Sequence, residues 1–294
     1  MHASATCLSC ILSKQDKLTQ YLENDAKKAA YFHEVLGVLY QYGQQESAPQ
    51  LAARVDKIYT RYFGVQMNYK ELKHTYNQLM LKQEELFEAR IRGASDPIRS
   101  CIQYVCAGNY IDFSAVTDVN ETMLSKLLNK AEGEIIPEAE YTGFLSDLST
   151  AGELVYLTDN CGEIVLDKIF IKLLQERYPD LHITVMVRDQ DVLNDATMED
   201  AAEVGLTKIT DCMGSGCKTA GTVPDEMSDT ARERLLTADM VISKGQGNFE
   251  GLYGNGINPY YFFLCKCELF VRRFGLEQYA SVFAKENHIR MRNI

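Results

Sequence analysis

The sequence has no long apolar run and no dense cluster of cysteines. No segment approaches the ~18 consecutive apolar residues that a membrane-spanning helix requires. The apolar stretch from Cys7 to Leu12 is too short for a secretory signal and contains Ser9. The nine cysteines are an odd number spread over 294 residues, which suits a reducing compartment better than a disulfide framework. These absences predict a cytoplasmic protein with no membrane partner.

Positive charge is also scarce. The chain has 30 Lys and Arg residues against 41 Asp and Glu residues, a formal net charge of -11, and no run of Lys or Arg. Such a chain repels polyanions unless its positive charges are clustered, so we expect no nucleic-acid partner. A small phosphorylated molecule is still compatible with this charge, because a bound metal ion can supply the missing positive charge.

Several common catalytic patterns are missing. The sequence has no G-x-S-x-G nucleophile elbow, no Walker A loop and no H-E-x-x-H zinc motif. The five histidines show no paired ligand spacing, so we assign them to the surface or the core. The pattern of apolar residues is therefore the main guide to the fold.

The first part of the chain has the apolar spacing of amphipathic helices. Helices are predicted over residues 25–43 and 47–64, and the clearest pattern predicts one helix over residues 68–92. The length of 294 residues suggests about two domains. We take residues 1–108 as an N-terminal helical domain, 109–150 as a connecting segment and 151–294 as an α/β/α metal-binding domain.

The pattern changes after about residue 150. Short apolar runs predict strands, with helical patterns between them. The predicted strands cover residues 154–158, 182–187, 240–243 and 260–264, and the predicted helices cover 163–178 and 225–236. Strands that alternate with helices imply a mainly parallel sheet covered on both faces. Ligands of such sheets bind at the carboxyl ends of the strands.

Polar residues collect at the ends of these strands. Asp159 and Asn160 follow the first strand, and Asp195 can bring a second carboxylate from the neighbouring strand. Oxygen ligands suit a hard cation such as Mg²⁺ or Mn²⁺, with water at the remaining positions. Each residue alone could simply cap a helix, but their coincidence at adjacent strand ends favours a metal site.

Two strand ends also favour phosphate binding. Gly162 lets the backbone turn into the helix that begins near Glu163, and the N-terminus of a helix is a natural anion site. Glu163 is a candidate for positioning a water. Lys244 ends an apolar strand and can bind phosphate as a point charge. The backbone that follows could approach a phosphoryl group, or form a plain turn, at Gly245, Gly247 and Asn248.

Two other segments leave alternatives open. The glycine-rich stretch over residues 214–222 is either a substrate lid or a surface loop. Cys7 and Cys10 form a CxxC pair, which is half of a zinc site. Cys265 and Cys267 would complete four thiolates if the fold brought the two pairs together; otherwise these are ordinary buried or helical cysteines.

Three motifs occur in a specific order with long spacings. They are LTDNCGE at residues 157–163, NDAT at 194–197 and SKGQGNFE at 243–250. Together they resemble the damage-control phosphatase family, a former family of unknown function with an ARMT-like metal-binding domain. The CxxC pair and the segment AGNYIDF at residues 107–113 look like its mostly prokaryotic branch. The resemblance runs from Cys7 to about Gly275.

The resemblance implies both a fold and an activity. The fold is an N-terminal helical domain followed by a three-layer α/β/α domain of Rossmann-like topology. The activity is metal-dependent hydrolysis of small phosphometabolites, such as sugar phosphates or damaged phosphorylated metabolites. The metal ligands of the family fall on Asp159, Asn160 and Asp195, and its phosphate-contacting lysine falls on Lys244. Mn²⁺ or Mg²⁺ is the expected ion, and Cys161 beside the site leaves Co²⁺ or Ni²⁺ open.

The predicted reaction is attack of water on a phosphomonoester. Lys244 and the helix N-terminus would hold phosphate oxygens, and Glu163 would orient the water. A route through an aspartyl-phosphate on Asp159 stays open.

One alternative function is carboxyl methyl transfer, although the first strand end lacks the glycine-rich turn usual for binding S-adenosylmethionine. Another is a metal-binding or metal-sensing protein that uses Cys7 and Cys10.

Overall fold

The computed structural model describes residues 1–64, 69–109 and 121–292. The helices in these ranges are α1 (Ala5–Thr19), α2 (Asp25–Tyr42), α3 (Ala48–Phe63), α4 (Lys70–Leu81), α5 (Glu84–Arg92), α6 (Pro97–Gly108), α7 (Glu121–Gly133), α8 (Glu138–Leu148), α9 (Ile164–Arg177), α10 (Met198–Glu203), α11 (Asp229–Thr237), α12 (Gln246–Leu252) and α13 (Glu268–Phe274). The strands are β1 (Glu153–Leu157), β2 (His182–Val187), β3 (Asp211–Gly214), β4 (Met240–Lys244), β5 (Tyr260–Leu264) and β6 (Ser281–Lys285). None of these helices is both long and apolar enough to cross a membrane.

The first three helices enclose an apolar core of their own. α1 and α2 begin at Ser4 and Asn24, whose side chains accept hydrogen bonds from N–H groups of the first turn. α3 begins after Ser47 and ends at Gly64, whose φ of 66° favours glycine. The predicted helices over residues 25–43 and 47–64 are therefore confirmed. Their shared core consists of Ile11, Tyr31, Val35, Leu39, Leu51, Val55 and Ile58.

The prediction of one helix over residues 68–92 is wrong, because the chain forms two separate helices there, α4 and α5. Asn68 lies outside the described residues. The N–H of Gln83 donates to the carbonyl of Met80, a spacing of three residues that tightens the chain after α4. The apolar side chains keep their helical spacing across this break. Those that are fully buried are Tyr76, Met80, Phe87 and Ile91.

The six strands form one sheet in the order β3-β2-β1-β4-β5-β6. Only the β5–β6 pair is antiparallel among the described strands, and the other pairs are parallel. The sequence predicts the four central strands correctly and misses the two edge strands, β3 and β6. Edge strands are half exposed, so their apolar pattern is weaker.

Successive side chains of the strands face two different cores. Tyr156 of β1 and Phe262 of β5 lie in the core formed with α4–α9. Val155 and Phe263 lie in the core formed with α11–α13 on the opposite face. Helices therefore cover both faces of a mainly parallel sheet, which confirms the predicted α/β/α fold.

Helices α4–α8 pack on the sheet and do not form a separate bundle with α1–α3. Two of them, α7 and α8, lie within residues 109–150, which the sequence analysis treats as a connecting segment. The division of the chain at residues 108 and 150 itself stays a prediction.

The strand order creates a crevice at the carboxyl end of the sheet. The chain moves from β1 outward to β2 and β3, then returns to the other side of β1 as β4. The loops after β1 and β4 therefore diverge, and ligands of open α/β sheets bind where such loops separate. Asp195 follows the neighbouring strand β2, and the other residues predicted to bind metal and phosphate end or follow β1 and β4.

Phe144→Ala is expected to lower the free energy of unfolding by about 3–5 kcal/mol. Phe144 of α8 is fully buried and contacts the rings of Tyr260, Phe262 and Phe283. Urea unfolding followed by circular dichroism measures the loss. The control is Tyr40→Ala, because the Tyr40 side chain is 93% exposed. Similar small losses in both variants would contradict the core assignment of Phe144.

Candidate active site

The loop after β1 places Asp159, Asn160 and Glu163 in one buried group. Gly162 takes a φ of 70°, which lets the chain reverse into α9. Oδ1 of Asn77, on α4, accepts a 2.7 Å hydrogen bond from the N–H of Gly162. A helix from the first third of the chain thus fixes the turn that carries the predicted metal ligands.

Two side-chain amides hold the carboxylates of this loop. Nδ2 of Asn109, at the end of α6, donates to Oδ2 of Asp159 at 2.6 Å and to Oε2 of Glu163 at 3.1 Å. Nδ2 of Asn160 donates to the same two oxygens at 2.7 and 3.0 Å. In the sequence, Asn109 stands out only as a member of the segment at 107–113. Residues 110–113 of that segment lie outside the described residues. Its place beside Asp159 depends on the packing of α6.

Asp195 joins this group from the loop after β2. Asn160 and Asp195 form an isolated antiparallel bridge, and the N–H of Ala196 donates to the carbonyl of Asp159 at 2.8 Å. Nδ2 of Asn194 donates to Oδ1 of Asn160 at 2.6 Å. The structure therefore brings together the three residues predicted as metal ligands, while their role as ligands stays a prediction.

Arg188, at the end of β2, is a central residue to which the sequence analysis assigned no role. Its Nε donates to Oδ2 of Asp195 at 2.8 Å, and its Nη2 donates to Oδ1 of Asn248 at 2.9 Å. Its Nη1 lies 3.2 Å from the hydroxyl of Thr222. The guanidinium is buried, so it is an internal countercharge for Asp195. An arginine that directly follows a buried strand is the signal that could have identified it.

The glycine-rich segment over residues 214–222 is part of the site. The side chains of Ser215 and Thr222 are buried against Arg188. The N–H of Gly221 donates to Oδ2 of Asp195 at 3.2 Å. A Cβ on Gly221 would lie 2.2 Å from the carbonyl oxygen of Gly247, so only glycine fits there. The segment therefore forms a packed wall between the β2 loop and α12.

Lys244 lies behind the β1 loop. Its fully buried ammonium donates to Oε1 of Glu163 and, at 3.0 Å, to Oδ1 of Asp167. The predicted contact between this lysine and phosphate in the crevice stays a prediction. The ion pairs with the two carboxylates are not evident from the sequence.

Two of the residues predicted to bind substrate make internal contacts. The N–H of Gly162 is hydrogen-bonded to Asn77. The Asn248 side chain is fully buried, and its Nδ2 donates to the carbonyl oxygens of Thr158 and Lys244 at 2.8 and 2.6 Å. Both residues therefore hold the loops together in this structure.

The chain that enters α12 approaches the β1 loop closely. Gly245 has a φ of 81°, and a Cβ there would lie 2.0 Å from Cγ of Asp159. Gln246 and Gly247 follow in the first turn of α12, whose N–H groups have no partner within the helix. Neither of these two N–H groups donates a hydrogen bond to the part of the chain that the structure describes. They are the backbone donors left for a bound anion near Asp159.

The ionisation of Asp159 and Glu163 differs because the charges around them differ. Burial, with the nearby charges of Glu163 and Asp195, raises the pKa of Asp159 to about 7. Burial also opposes ionisation of Glu163, but the ammonium of Lys244 and the donated hydrogen bonds outweigh it and lower the pKa of Glu163. At Asp159, burial and the charges of Glu163 and Asp195 outweigh the opposing charges of Lys266 and Lys244.

The oxygen donors at Asp159 fit a hard divalent cation. The hydrogen bonds that Asp159 and Asp195 accept from the described residues all go to Oδ2, which leaves each Oδ1 available. With the amide oxygen of Asn160 they form the carboxylate and carbonyl set that Mg²⁺ and Mn²⁺ prefer. Within residues 1–64, 69–109 and 121–292, no three His, Cys, Asp or Glu side chains form a group that could hold a metal alone. An ion here would therefore need the amide, water or substrate as well.

The thiol alternative receives no support from the geometry. Cys7 is half-buried and Cys10 is exposed on α1, whereas Cys265 is buried and Cys267 half-buried after β5. The described residues do not bring these sulfurs into a group of three or more metal-binding side chains. The four-thiolate alternative is therefore not formed among the described residues.

Comparison with known proteins identifies the family. The profile of the damage-control phosphatase ARMT1-like domain matches residues 3–282. A damage-control phosphatase of Archaeoglobus fulgidus is 30% identical over 283 residues, which cover 94% of this chain and 96% of that protein. A damage-control phosphatase of Pyrococcus horikoshii is 29% identical over 185 residues, 62% of each chain. The chain is therefore a phosphatase, and it belongs to the damage-control phosphatase family, as the motifs predict.

A solved structure shares the whole fold. The crystal structure of a DUF89 family protein from Pyrococcus horikoshii matches with a TM-score of 0.82, over 97% of this chain and 99% of that chain. The sequences are 21% identical, so this likeness concerns the fold alone. It shows that the helices before the sheet belong to the common architecture.

Asp159→Asn is expected to raise the Tm of the metal-free protein, because it removes a buried charge beside Glu163 and Asp195. It is also expected to abolish stabilisation by Mn²⁺, which for the unmodified chain should reach about 2.7 kcal/mol at one hundred times Kd. Thermal unfolding with EDTA and with Mn²⁺ measures both effects. Asp225→Asn is the control, because that side chain is 91% exposed. A Mn²⁺-induced shift that survives in Asp159→Asn would remove Asp159 from the ligand set.

Gly245→Ala is expected to lower phosphatase activity by about a hundredfold, because displacement of a catalytic group by about 1 Å can have that effect. The added methyl group would collide with the carboxylate of Asp159. Gly254→Ala is the matched control: Gly254 has a φ of 86°, and a Cβ there meets nothing within 4 Å. Both variants carry the strain of a positive φ, but only one disturbs the site. Equal activities, measured on the same substrate, would show that the close approach at Gly245 is unimportant.

Proposed function

We propose that this chain is a metal-dependent phosphomonoesterase that acts on small phosphorylated metabolites. The observation that carries the proposal is the buried oxygen cluster of Asp159, Asn160 and Asp195 at the switch point. Burial, together with the charges of Glu163 and Asp195, raises the pKa of Asp159 to about 7, as expected at a site that receives a cation. The names of the relatives support the reaction class.

One divalent ion would be held by Asp159, Asn160 and Asp195. Mn²⁺ and Mg²⁺ suit these ligands best, and Co²⁺ or Ni²⁺ are alternatives that the amide and carboxylates also tolerate. When bound, the ion would supply positive charge against the phosphate oxygens in the transition state. The hydrogen bonds from Nδ2 of Asn160 to Asp159 and Glu163 fix which end of the amide is nitrogen. Oδ1 accepts one hydrogen bond from Nδ2 of Asn194, and its second lone pair would bind the ion.

The phosphate would lie between the β1 loop and the start of α12. The N–H groups of Gln246 and Gly247 can donate to phosphate oxygens there, and the helix dipole favours an anion at this end. Gly245 permits this because its lack of a side chain lets the backbone approach Asp159. Lys244 would act from its position behind the β1 loop, as the countercharge of Glu163.

The attacking water needs a hydrogen-bond acceptor in the crevice. Oδ1 of Asp159 and Oδ1 of Asp195 are the acceptors that the described residues leave available. Glu163 is fully buried, and both of its oxygens accept hydrogen bonds. We therefore assign Glu163 to holding the amides of Asn109 and Asn160, which revises its predicted role as the group that orients water. Direct attack by water is favoured, because a carboxylate engaged with the ion is a poor nucleophile.

Phosphate release from a panel of phosphometabolites tests the proposal. The panel contains sugar phosphates and oxidised or rearranged phosphorylated metabolites, and metal-stripped protein receives Mn²⁺, Mg²⁺, Co²⁺ or Ni²⁺ singly. We expect one or more metals to restore turnover, and Asp159→Ala to reduce kcat by at least about a thousandfold, as loss of a major electrostatic group does. Asp225→Ala, at an exposed side chain, is the control and should retain full activity.

Two outcomes would contradict the proposal. Turnover that is undiminished in EDTA would exclude metal dependence. Absence of phosphate release from the whole panel with every metal would reject hydrolysis of small phosphomonoesters by this site.

A further inference from the structure

Behind the β1 loop lies a fully buried group of four side chains, which we call the rear ion cluster: Tyr156, Glu163, Asp167 and Lys244. The ammonium of Lys244 donates to Glu163 and, at 3.0 Å, to Oδ1 of Asp167. The hydroxyl of Tyr156 donates to the same oxygen of Asp167 at 2.6 Å. Asp167 does not touch the predicted metal ligands, and nothing derived above gives it a function.

Stability alone does not explain this cluster. It contains two carboxylates and one ammonium, all without exposed surface. Buried ion pairs are often no more stabilising than apolar side chains of similar shape, because desolvation offsets the attraction between the charges. In addition, Oδ2 of Asp167 is buried and has no hydrogen-bond partner among the described residues. A buried polar atom without a partner is destabilising, so its presence requires another explanation.

The cluster is connected to the metal site through Glu163. Oε1 of Glu163 accepts from Lys244, while Oε2 accepts from the amides of Asn109 and Asn160. The Asn160 amide also donates to Oδ2 of Asp159. The position of the Lys244 ammonium therefore sets the position of the Glu163 carboxylate, which in turn orients the oxygen of Asn160.

Asp167 and Tyr156 determine where that ammonium lies. Tyr156 extends from β1, Asp167 from α9 and Lys244 from β4, so two strands and a helix that covers them meet at one oxygen, Oδ1 of Asp167. Without the second carboxylate, the flexible lysine side chain would be drawn toward Glu163 alone. The Glu163 carboxylate would then shift relative to the amide that it holds.

We propose that Asp167, fixed by Tyr156, is a positioning residue that acts through Lys244 and Glu163 to orient Asn160 at the metal site. This inference rests on the proposed function and extends it to a residue on the far side of the β1 loop. It predicts that a change at Asp167 alters metal binding and kcat, although Asp167 contacts neither metal nor substrate.

The chain contains a matched control. Oδ2 of Asp147 accepts from the hydroxyl of Tyr260 at 2.7 Å and from the ammonium of Lys285 at 2.6 Å. This trio has the same three residue types as Asp167, Tyr156 and Lys244. Tyr260 begins β5, so the trio lies at the opposite end of the sheet from the crevice. Asp147→Asn removes the same charge without a connection to the metal site.

The experiment compares Asp167→Asn with Asp147→Asn in the full chain. The Mn²⁺ concentration that gives half of the thermal shift is measured for each variant, together with kcat and KM on the best substrate of the panel. For Asp167→Asn we expect about a tenfold to hundredfold weaker Mn²⁺ affinity or lower kcat, the usual effect of losing a residue that orients a ligand. KM should change by less than about twofold. Asp147→Asn should retain Mn²⁺ affinity and kcat, whatever its Tm.

Tyr156→Phe keeps the proposal testable if Asp167→Asn does not fold. It preserves the ring and removes only the hydroxyl that holds Asp167, so it should change Mn²⁺ affinity or kcat in the same direction but by less. Unchanged Mn²⁺ affinity and kcat in a folded Asp167→Asn, or in Tyr156→Phe if the former is unfolded, would overturn the inference. So would an equal loss in Asp147→Asn.

The thermal shift separates this inference from the proposed function. If the unmodified chain binds Mn²⁺ but releases no phosphate, the proposed activity fails, and the Mn²⁺ affinities of the variants still decide the role of Asp167. If the unmodified chain shows no Mn²⁺-induced shift, the metal site and the inference are both rejected.

Discussion

Three carboxylates are buried within one small group, and the active site depends on how their charges are balanced. Glu163 is balanced by Lys244, and Asp195 by Arg188. Among the described residues, the side chain of Asp159 accepts hydrogen bonds from two amides. Removal of a carboxylate from water costs several kcal/mol unless a countercharge compensates. The raised pKa of Asp159 supports the proposed cation site at that residue, while Lys244 and Arg188 pair with the other two carboxylates.

The sequence predicted the central part of the site because parallel strands impose a simple geometry. All carboxyl ends of a parallel sheet meet at one edge, so Asp159, Asn160 and Asp195 could be placed near each other from their positions after predicted strands. The same rule did not place Lys244 correctly. Met240 and Ile242 of β4 face the core under α4–α9, and the alternation of side chains along a strand carries Lys244 to that same face. The alternation of side chains along β4 therefore predicts that the ammonium of Lys244 lies behind the β1 loop.

Other features depend on contacts that have no periodic signal. Asn77 and Asn109 reach the β1 loop from helices whose packing on α9 is not encoded by spacing. The break between α4 and α5 was hidden because buried residues keep the same helical interval on both sides of it. The edge strands β3 and β6 were missed because partial exposure weakens their apolar pattern. Tertiary packing thus determines the parts of the site that local sequence patterns do not reveal.

The two asparagines from the helices have a consequence for any fragment that contains only the sheet. Asn77 closes the turn at Gly162, and Asn109 holds both Asp159 and Glu163, yet both precede the first strand of the sheet. A fragment of this chain that begins at β1 would retain every strand-end motif and still lack these two amides. The presence of those motifs alone would therefore not show that the β1 loop keeps its geometry.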